Sequence, residues 1–248
     1  MFKKIRKIIQ YFVNLFGYEI VIHDKVMEKE FGDIYEKCKD YTMTSKERMY
    51  SVHKAVEYIV KAKMPGDFVE CGVWRGGSAM VIAYTLLKLG ETNRKIYLYD
   101  TYEGMSKPTE EDKTIIKGDK AIFEWNKKQR KNFNEFCFAS LEEVKRNLLL
   151  TGYPKENIIF IKGKVEETIP KKIPKKIALL RLDTDWYEST KHELVHLYPK
   201  LSQKGVLIID DYGHWKGSKK AVDEYFRNKP ILLNRIDYTA RIGIKTNN

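Results

Sequence analysis

No apolar run in this chain approaches the roughly 20 residues that a membrane span needs, and its start lacks a long apolar stretch closing on a small-residue cleavage site. A spanning or secreted protein is therefore not expected, and the anticipated location is cytoplasmic. Cysteine is scarce. Cys38, Cys71 and Cys137 are an odd number with no metal-ligand spacing, which argues against a disulfide framework and fits a reducing compartment. Recognisable nucleic-acid motifs are missing too. The formal net charge is +12, but the lysines are spread along the chain without interleaved aromatics, so no nucleic-acid partner is expected. What remains is 248 residues, 43% hydrophobic and 32% charged, enough to bury one large α/β core with additions.

The stretch from Ile177 to Asp211 organises that core. It reads as an apolar strand ending in acids, a helix-length segment, and a second apolar strand ending in acids. Two such strands joined by a crossover helix run parallel, so their carboxyl ends emerge on one edge, where α/β sheets bind ligands. Asp183, Asp185, Asp210 and Asp211 therefore meet there, and their mutual repulsion calls for a cation. Carboxylates without neighbouring Cys or His ligands suit Mg²⁺. The competing role for one such acid is to cap the helix that follows, but four acids exceed what two caps need.

The first 18 residues contain no acid, while Lys3, Lys4, Arg6 and Lys7 accompany Phe2, Ile5, Ile8, Ile9, Phe12, Val13 and Phe16 at helical spacing. This is a basic amphipathic helix, and packing on its own domain or a second subunit is favoured over weak contact with a membrane surface. A homo-oligomer is expected. Residues 1–40 are read as this helix and an extension, and 41–248 as the main domain. Thr44 or Ser45 caps a helix faced by Met49, Val52, Val56, Ile59 and Val60, and the preceding loop with Met43 is placed to cover the site.

Residues 67–89 read as strand, glycine turn and helix. Trp74 stands where a dinucleotide fingerprint wants its second glycine, so pyrophosphate fits poorly. Glu70 beside the turn suits instead a cofactor bearing an ammonium and a sulfonium, which describes S-adenosylmethionine. The second strand ends at Asp100, whose carboxylate can accept both hydroxyls of a ribose. Residues 105–138 are too long for a plain connection and are read as a lid. Gly163, Lys164, Val165 and Glu166 follow the third strand, beside Asp100 in a 3-2-1-4-5 sheet, and can hold an adenine. Two last strand-like runs, 231–236 and 241–245, suit an antiparallel hairpin at the edge.

The strings DFVECGVWRGGSAM, YLYDTYEGM, NIIFIKGKVEETIP, LLRLDTDWYEST and GVLIIDDYGHWKG, in this order, resemble the macrocin and mycinamicin sugar O-methyltransferase family over about residues 41 to 228. The resemblance implies a class I methyltransferase: a Rossmann-like α/β sheet of order 3-2-1-4-5-7-6 with the last strand antiparallel, helices on both faces, an N-terminal helical segment and a lid insertion. It further implies that S-adenosylmethionine lies on Glu70, Cys71, Gly72, Gly76, Gly77 and Ser78, then on Asp100, Thr101, the loop 163–166 and Asp183. Asp183, Asp210 and Asp211 would hold Mg²⁺, and Asp185 would serve the substrate. Met43, Tyr102, Trp125, Trp186 and Tyr187 complete the expected acceptor site. Asp183 or His214 would take the proton. The expected acceptor offers vicinal hydroxyls on a sugar, with a catechol-like molecule as the alternative and a dinucleotide-dependent oxidoreductase as a weaker one.

Overall fold

The computed structural model describes residues 2–16, 18 and 27–246; the readings for Met1 and residues 19–26 lie outside them. Helix α1 is Phe2–Leu15. Helix α2 (Lys29–Cys38) was not anticipated, although Phe31, Ile34 and Cys38 recur at helical spacing and are buried. It packs in the same core as α3 (Lys46–Lys61) and α4 (Gly77–Lys88), so the segment before residue 41 is partly core. Ser45 caps α3 as expected, its side chain accepting from the Arg48 backbone N–H.

Strands β1 (Asp67–Cys71), β2 (Ile96–Asp100), β3 (Ile158–Lys162), β4 (Ile177–Leu182) and β5 (Leu201–Ile209) are parallel, and β7 (Arg241–Ile244) runs antiparallel between β5 and the short edge strand β6 (Asn234–Arg235). The sheet order is β3-β2-β1-β4-β5-β7-β6, the order and antiparallel strand implied by the resemblance. Side chains alternate across the sheet and build a core on each face. Phe68, Leu98, Leu179 and Ile208 meet α2, α3 and α4; Val69, Tyr99, Leu180 and Leu207 meet Leu194 and Leu197 of α8 (Tyr187–Leu197) and Val222 of α9 (Lys216–Phe226). Every side chain of β4 is buried, Arg181 included, so this central strand places a charge inside an apolar layer.

The insertion 105–138 is tied down at both ends and along its length. Its neck closes through the Met105 N–H donating to the Phe136 carbonyl, and Gly104 approaches Asn134 so closely that a Cβ would lie 1.8 Å from its carbonyl oxygen. Helix α5 (Ala121–Lys128) sits in it. The fully buried Asp112 accepts from the Thr109 and Tyr187 backbone N–H groups, while Ala121 packs on Trp186 and Trp215 beneath. The insertion is therefore an ordered wall over the carboxyl edge of the sheet. Helices α6 (Leu141–Leu149) and α7 (Val165–Thr168) complete the chain.

Candidate active site

The carboxyl ends of β1, β2, β4 and β5 open into one cavity of about 270 Å³. Gly72, Gly77, Ser78, Asp100, Asp183, Asp185, Asp210, Asp211, His214 and Met43 all line it, so of the acidic and histidine positions singled out near the ends of these strands all but Glu70 share a single space. A narrower adjoining cleft, about 50 Å³, runs past Thr101 to Gly163, Lys164, Val165 and Glu166, and shares Gly72, Asp100 and Asp183 with the first.

The glycine turn is set by close approach. Gly72 has φ +81°, and a Cβ there would lie 2.0 Å from the Asp183 carbonyl oxygen. Only glycine lets β1 leave the sheet so close to β4. At Gly77 a Cβ would meet the Tyr41 carbonyl oxygen at 2.6 Å, because the Tyr41–Thr42 loop passes over the start of α4. That loop and Met43 thus roof the cavity. Gly76, at φ +92°, serves the helix start and packs toward Leu148 without lining the cavity.

Asp100 is held from both sides. One carboxylate oxygen accepts from the Val73 and Trp74 N–H groups at 2.7 and 3.3 Å, the other from the Tyr102 N–H at 2.7 Å. Burial raises its pKa despite these bonds. The acid is thereby fixed at the junction of cavity and cleft.

Glu70 and Cys71 depart from expectation. Glu70 is 1% exposed, absent from the cavity wall, and its carboxylate accepts from the Arg181 guanidinium at 2.6 Å. Burial pushes its carboxyl up to about 7. It lies beneath the cavity, where it holds Arg181. Cys71 is buried on the opposite face, in the core against α8. Four of the acceptor positions also fall elsewhere. Tyr102 is a core residue whose hydroxyl donates to the Leu98 carbonyl. Trp186 donates its indole N–H to the Ser106 carbonyl and stacks edgewise on Trp215, forming the floor of the insertion. Tyr187 anchors the same insertion through its N–H on Asp112, and its hydroxyl donates to Glu224. Trp125 donates to the Met105 carbonyl, facing the neck. In each case an aromatic with a polar tip found a partner inside the fold, which is where such residues usually satisfy that tip. The aromatic lining comes instead from Tyr41, Trp74, Phe136, Trp215 and Tyr238.

Two arginines were missed by sequence reasoning. Arg181 donates to Glu70, Asp183 and Asp210 at 2.6, 2.7 and 2.5 Å. Arg48 of α3 pairs with the other oxygen of Asp210 and, at 3.0 Å, with Asp237, which also accepts from the Ser45 hydroxyl. The available signal was a lone arginine inside the otherwise apolar IALLRL; nothing local marks Arg48. Their effect is to divide the acids. Both oxygens of Asp210 are taken by guanidinium groups, whereas oxygens of Asp183, Asp185 and Asp211 lie within 4.8 Å of one another. The four acids do converge, but guanidinium groups occupy both oxygens of Asp210 and one bond of Asp183, so the carboxylates that geometry gathers within reach of one another are Asp183, Asp185 and Asp211.

That set fits a divalent ion. The Asp211 Oδ2 is buried and meets no donor, and its neighbour Asp185 is another carboxyl, so a proton or a cation belongs between them. Burial, reinforced by the adjacent acids, holds Asp183 and Asp211 well above the usual carboxylate range and pushes Asp185 up to about 7. Asp185 moreover adopts φ +68°, a strained conformation for aspartate at the mouth of the site. His214 stands against Trp215 and Tyr238, with burial and Arg48 lowering its pKa so that the imidazole is neutral.

Comparison with known proteins identifies the chain's relatives. The family model described as macrocin O-methyltransferase (TylF) matches residues 19–242. Demethyldecarbamoylnovobiocin O-methyltransferase of Streptomyces niveus is 34% identical over 185 residues, 75% of this chain and 67% of that protein. Mycinamicin III 3''-O-methyltransferase of Micromonospora griseorubida is 32% identical over 219 residues, 87% of this chain and 81% of that one. The solved structure of the O-methyltransferase NovP superposes with a TM-score of 0.72 at 31% identity, covering 84% of this chain and 83% of that chain. With its sheet order, glycine turn and converging acids, the chain belongs to the macrocin O-methyltransferase family of S-adenosylmethionine-dependent O-methyltransferases.

Proposed function

We propose that this chain methylates a sugar hydroxyl in a glycan, a nucleotide sugar or a natural-product glycoside, using S-adenosylmethionine and Mg²⁺. The observation that carries this reading is the opening of the three-acid cluster, the glycine turn and Asp100 into one cavity. S-adenosylmethionine supplies an electrophilic methyl group, and Mg²⁺ supplies a positive charge that orients and acidifies a hydroxyl.

The residues divide the work as follows. Gly72, Gly77 and Ser78 offer backbone and hydroxyl to the amino-acid end of the cofactor, Asp100 takes its ribose, and the cleft along Thr101 and residues 163–166 takes its base. Asp183, Asp185 and Asp211 hold the ion. Phe136, Trp215 and Tyr238 present apolar surface within the same cavity, which suits a pyranose whose faces are apolar and whose edge carries hydroxyls. His214, neutral and inside the cavity, accepts the proton that the hydroxyl loses. A second reading gives that role to Asp185, favoured by its carboxyl titrating at about 7, near the working pH. Mycinamicin III 3''-O-methyltransferase bears a name that supports a glycosidic acceptor.

The test is a methyl-transfer panel of sugar glycosides and nucleotide sugars, each paired with a deoxy analogue lacking one of two vicinal hydroxyls. A large loss of turnover with the deoxy compound is expected, together with loss of activity in EDTA. Equal rates on both compounds, or full activity in EDTA, would overturn the reading.

A further inference from the structure

Helix α1 presents its apolar residues to solvent. Ile8 is 58% exposed, Phe12 57% and Phe16 79%, and Ile5, Ile9 and Leu15 are exposed beside them. Among the described residues, the expectation that this stripe packs on its own domain is not met. At 100° per residue Ile5, Ile8, Ile9, Phe12 and Phe16 fall on one continuous face, while Arg6 and Lys7 lie on the other. The sequence adds Lys3 and Lys4, and no acid occurs anywhere in the helix.

We propose that α1 docks the protein on an anionic phospholipid bilayer, lying flat with its apolar face in the headgroup boundary. Charge complementarity selects this occupant over a second copy of the chain. Four cations lie in the first two turns, and a partner copy would bring the same four together with a net charge of +12 of its own, so self-association by this face is opposed by repulsion that an anionic surface reverses. Length and composition agree. The helix is 14 residues, about 21 Å, too short and too charged to span a bilayer but ample to lie in its interface. The inference stands whether or not the acceptor is a sugar.

Co-sedimentation of the full chain with vesicles tests it, comparing phosphatidylcholine alone with phosphatidylcholine containing roughly one-third phosphatidylglycerol. The protein is expected to pellet with the anionic vesicles, to stay in solution with the neutral ones, and to be released by salt. Ile9→Asp with Phe12→Asp should reduce anionic-vesicle binding at least tenfold while leaving S-adenosylmethionine affinity unchanged. Lys3→Gln with Lys4→Gln and Lys7→Gln, which keeps the apolar face, should also reduce it several-fold. Absence of anionic-vesicle binding, equal binding to neutral vesicles, or binding indifferent to both sets of substitutions would overturn the proposal. So would a stable dimer in light scattering that Ile9→Asp dissociates and that ignores vesicles, since the face would then belong to a second copy.

Discussion

Two groups of acids share one edge of the sheet and live under opposite conditions. On one side Glu70 and Asp210 are buried against Arg181 and Arg48, and each carboxylate has a guanidinium partner. On the other, Asp185 and Asp211 face each other with no protein cation between them, and Asp183 links the two sides through a single bond to Arg181. Buried charge needs compensation in both places. Where the chain provides it, the acids are architecture; where it does not, they are available for a ligand ion.

The contrast breaks most violently at its centre. Arg181→Met should leave Glu70, Asp183 and Asp210 buried without their shared cation and cost about 3–5 kcal/mol of stability, measured by urea unfolding. A loss below about 1 kcal/mol would mean that these acids are not held as the distances indicate. Next comes the contact between the glycine turn and the acid loop. Gly72→Ala sets a Cβ 2.0 Å from the Asp183 carbonyl oxygen at a φ of +81°, so it should lower stability by at least about 1 kcal/mol and S-adenosylmethionine affinity with it. Wild-type cofactor affinity in calorimetry would show that the turn has slack the structure does not reveal.

A gentler probe sits on the uncompensated side. Asp211→Asn removes one carboxylate from a repelling pair, so the metal-free protein should be stabilised or unchanged, within about 1 kcal/mol, while the gain in stability on adding Mg²⁺ disappears. Destabilisation like that of Arg181→Met would make Asp211 architectural after all. A last probe of the uncompensated side is pH. Asp185 keeps its proton up to about 7 in the folded chain and releases it near the ordinary carboxylate value when unfolded, so between those values the folded state binds more protons. Stability of the metal-free protein therefore falls as pH rises from about 4 to 7, and Asp185→Asn should flatten that slope. A variant with an undiminished slope would place the titration on another group.

Much of this was legible in the sequence because its signals are local. The apolar runs closing on acids fixed β4 and β5, and with them the edge where the site lies. The full order of the sheet followed from the family strings, and the final hairpin from two strand-like runs beyond them. The helix Lys29–Cys38 escaped notice because only three of its residues are buried and charged neighbours surround them. The role of each aromatic was not legible. Trp186 and Tyr187 adjoin the acid motif in sequence, yet their polar tips are claimed by Ser106 in the insertion and Glu224 on α9, partners distant in sequence. Arg48 lies 162 residues from Asp210, and such a pairing leaves no mark on either neighbourhood. The division between compensated and free acids depends on that pairing, so it could be seen only in three dimensions.

The most direct test of that division is the shift in thermal unfolding midpoint on titrating Mg²⁺ into Asp185→Asn, beside wild type at neutral pH. Asp183, Asp185 and Asp211 as the ion-holding set predict a rise in midpoint for wild type and little or none for the variant. An undiminished rise in Asp185→Asn would return the third ligand position to Asp210 and contradict the account.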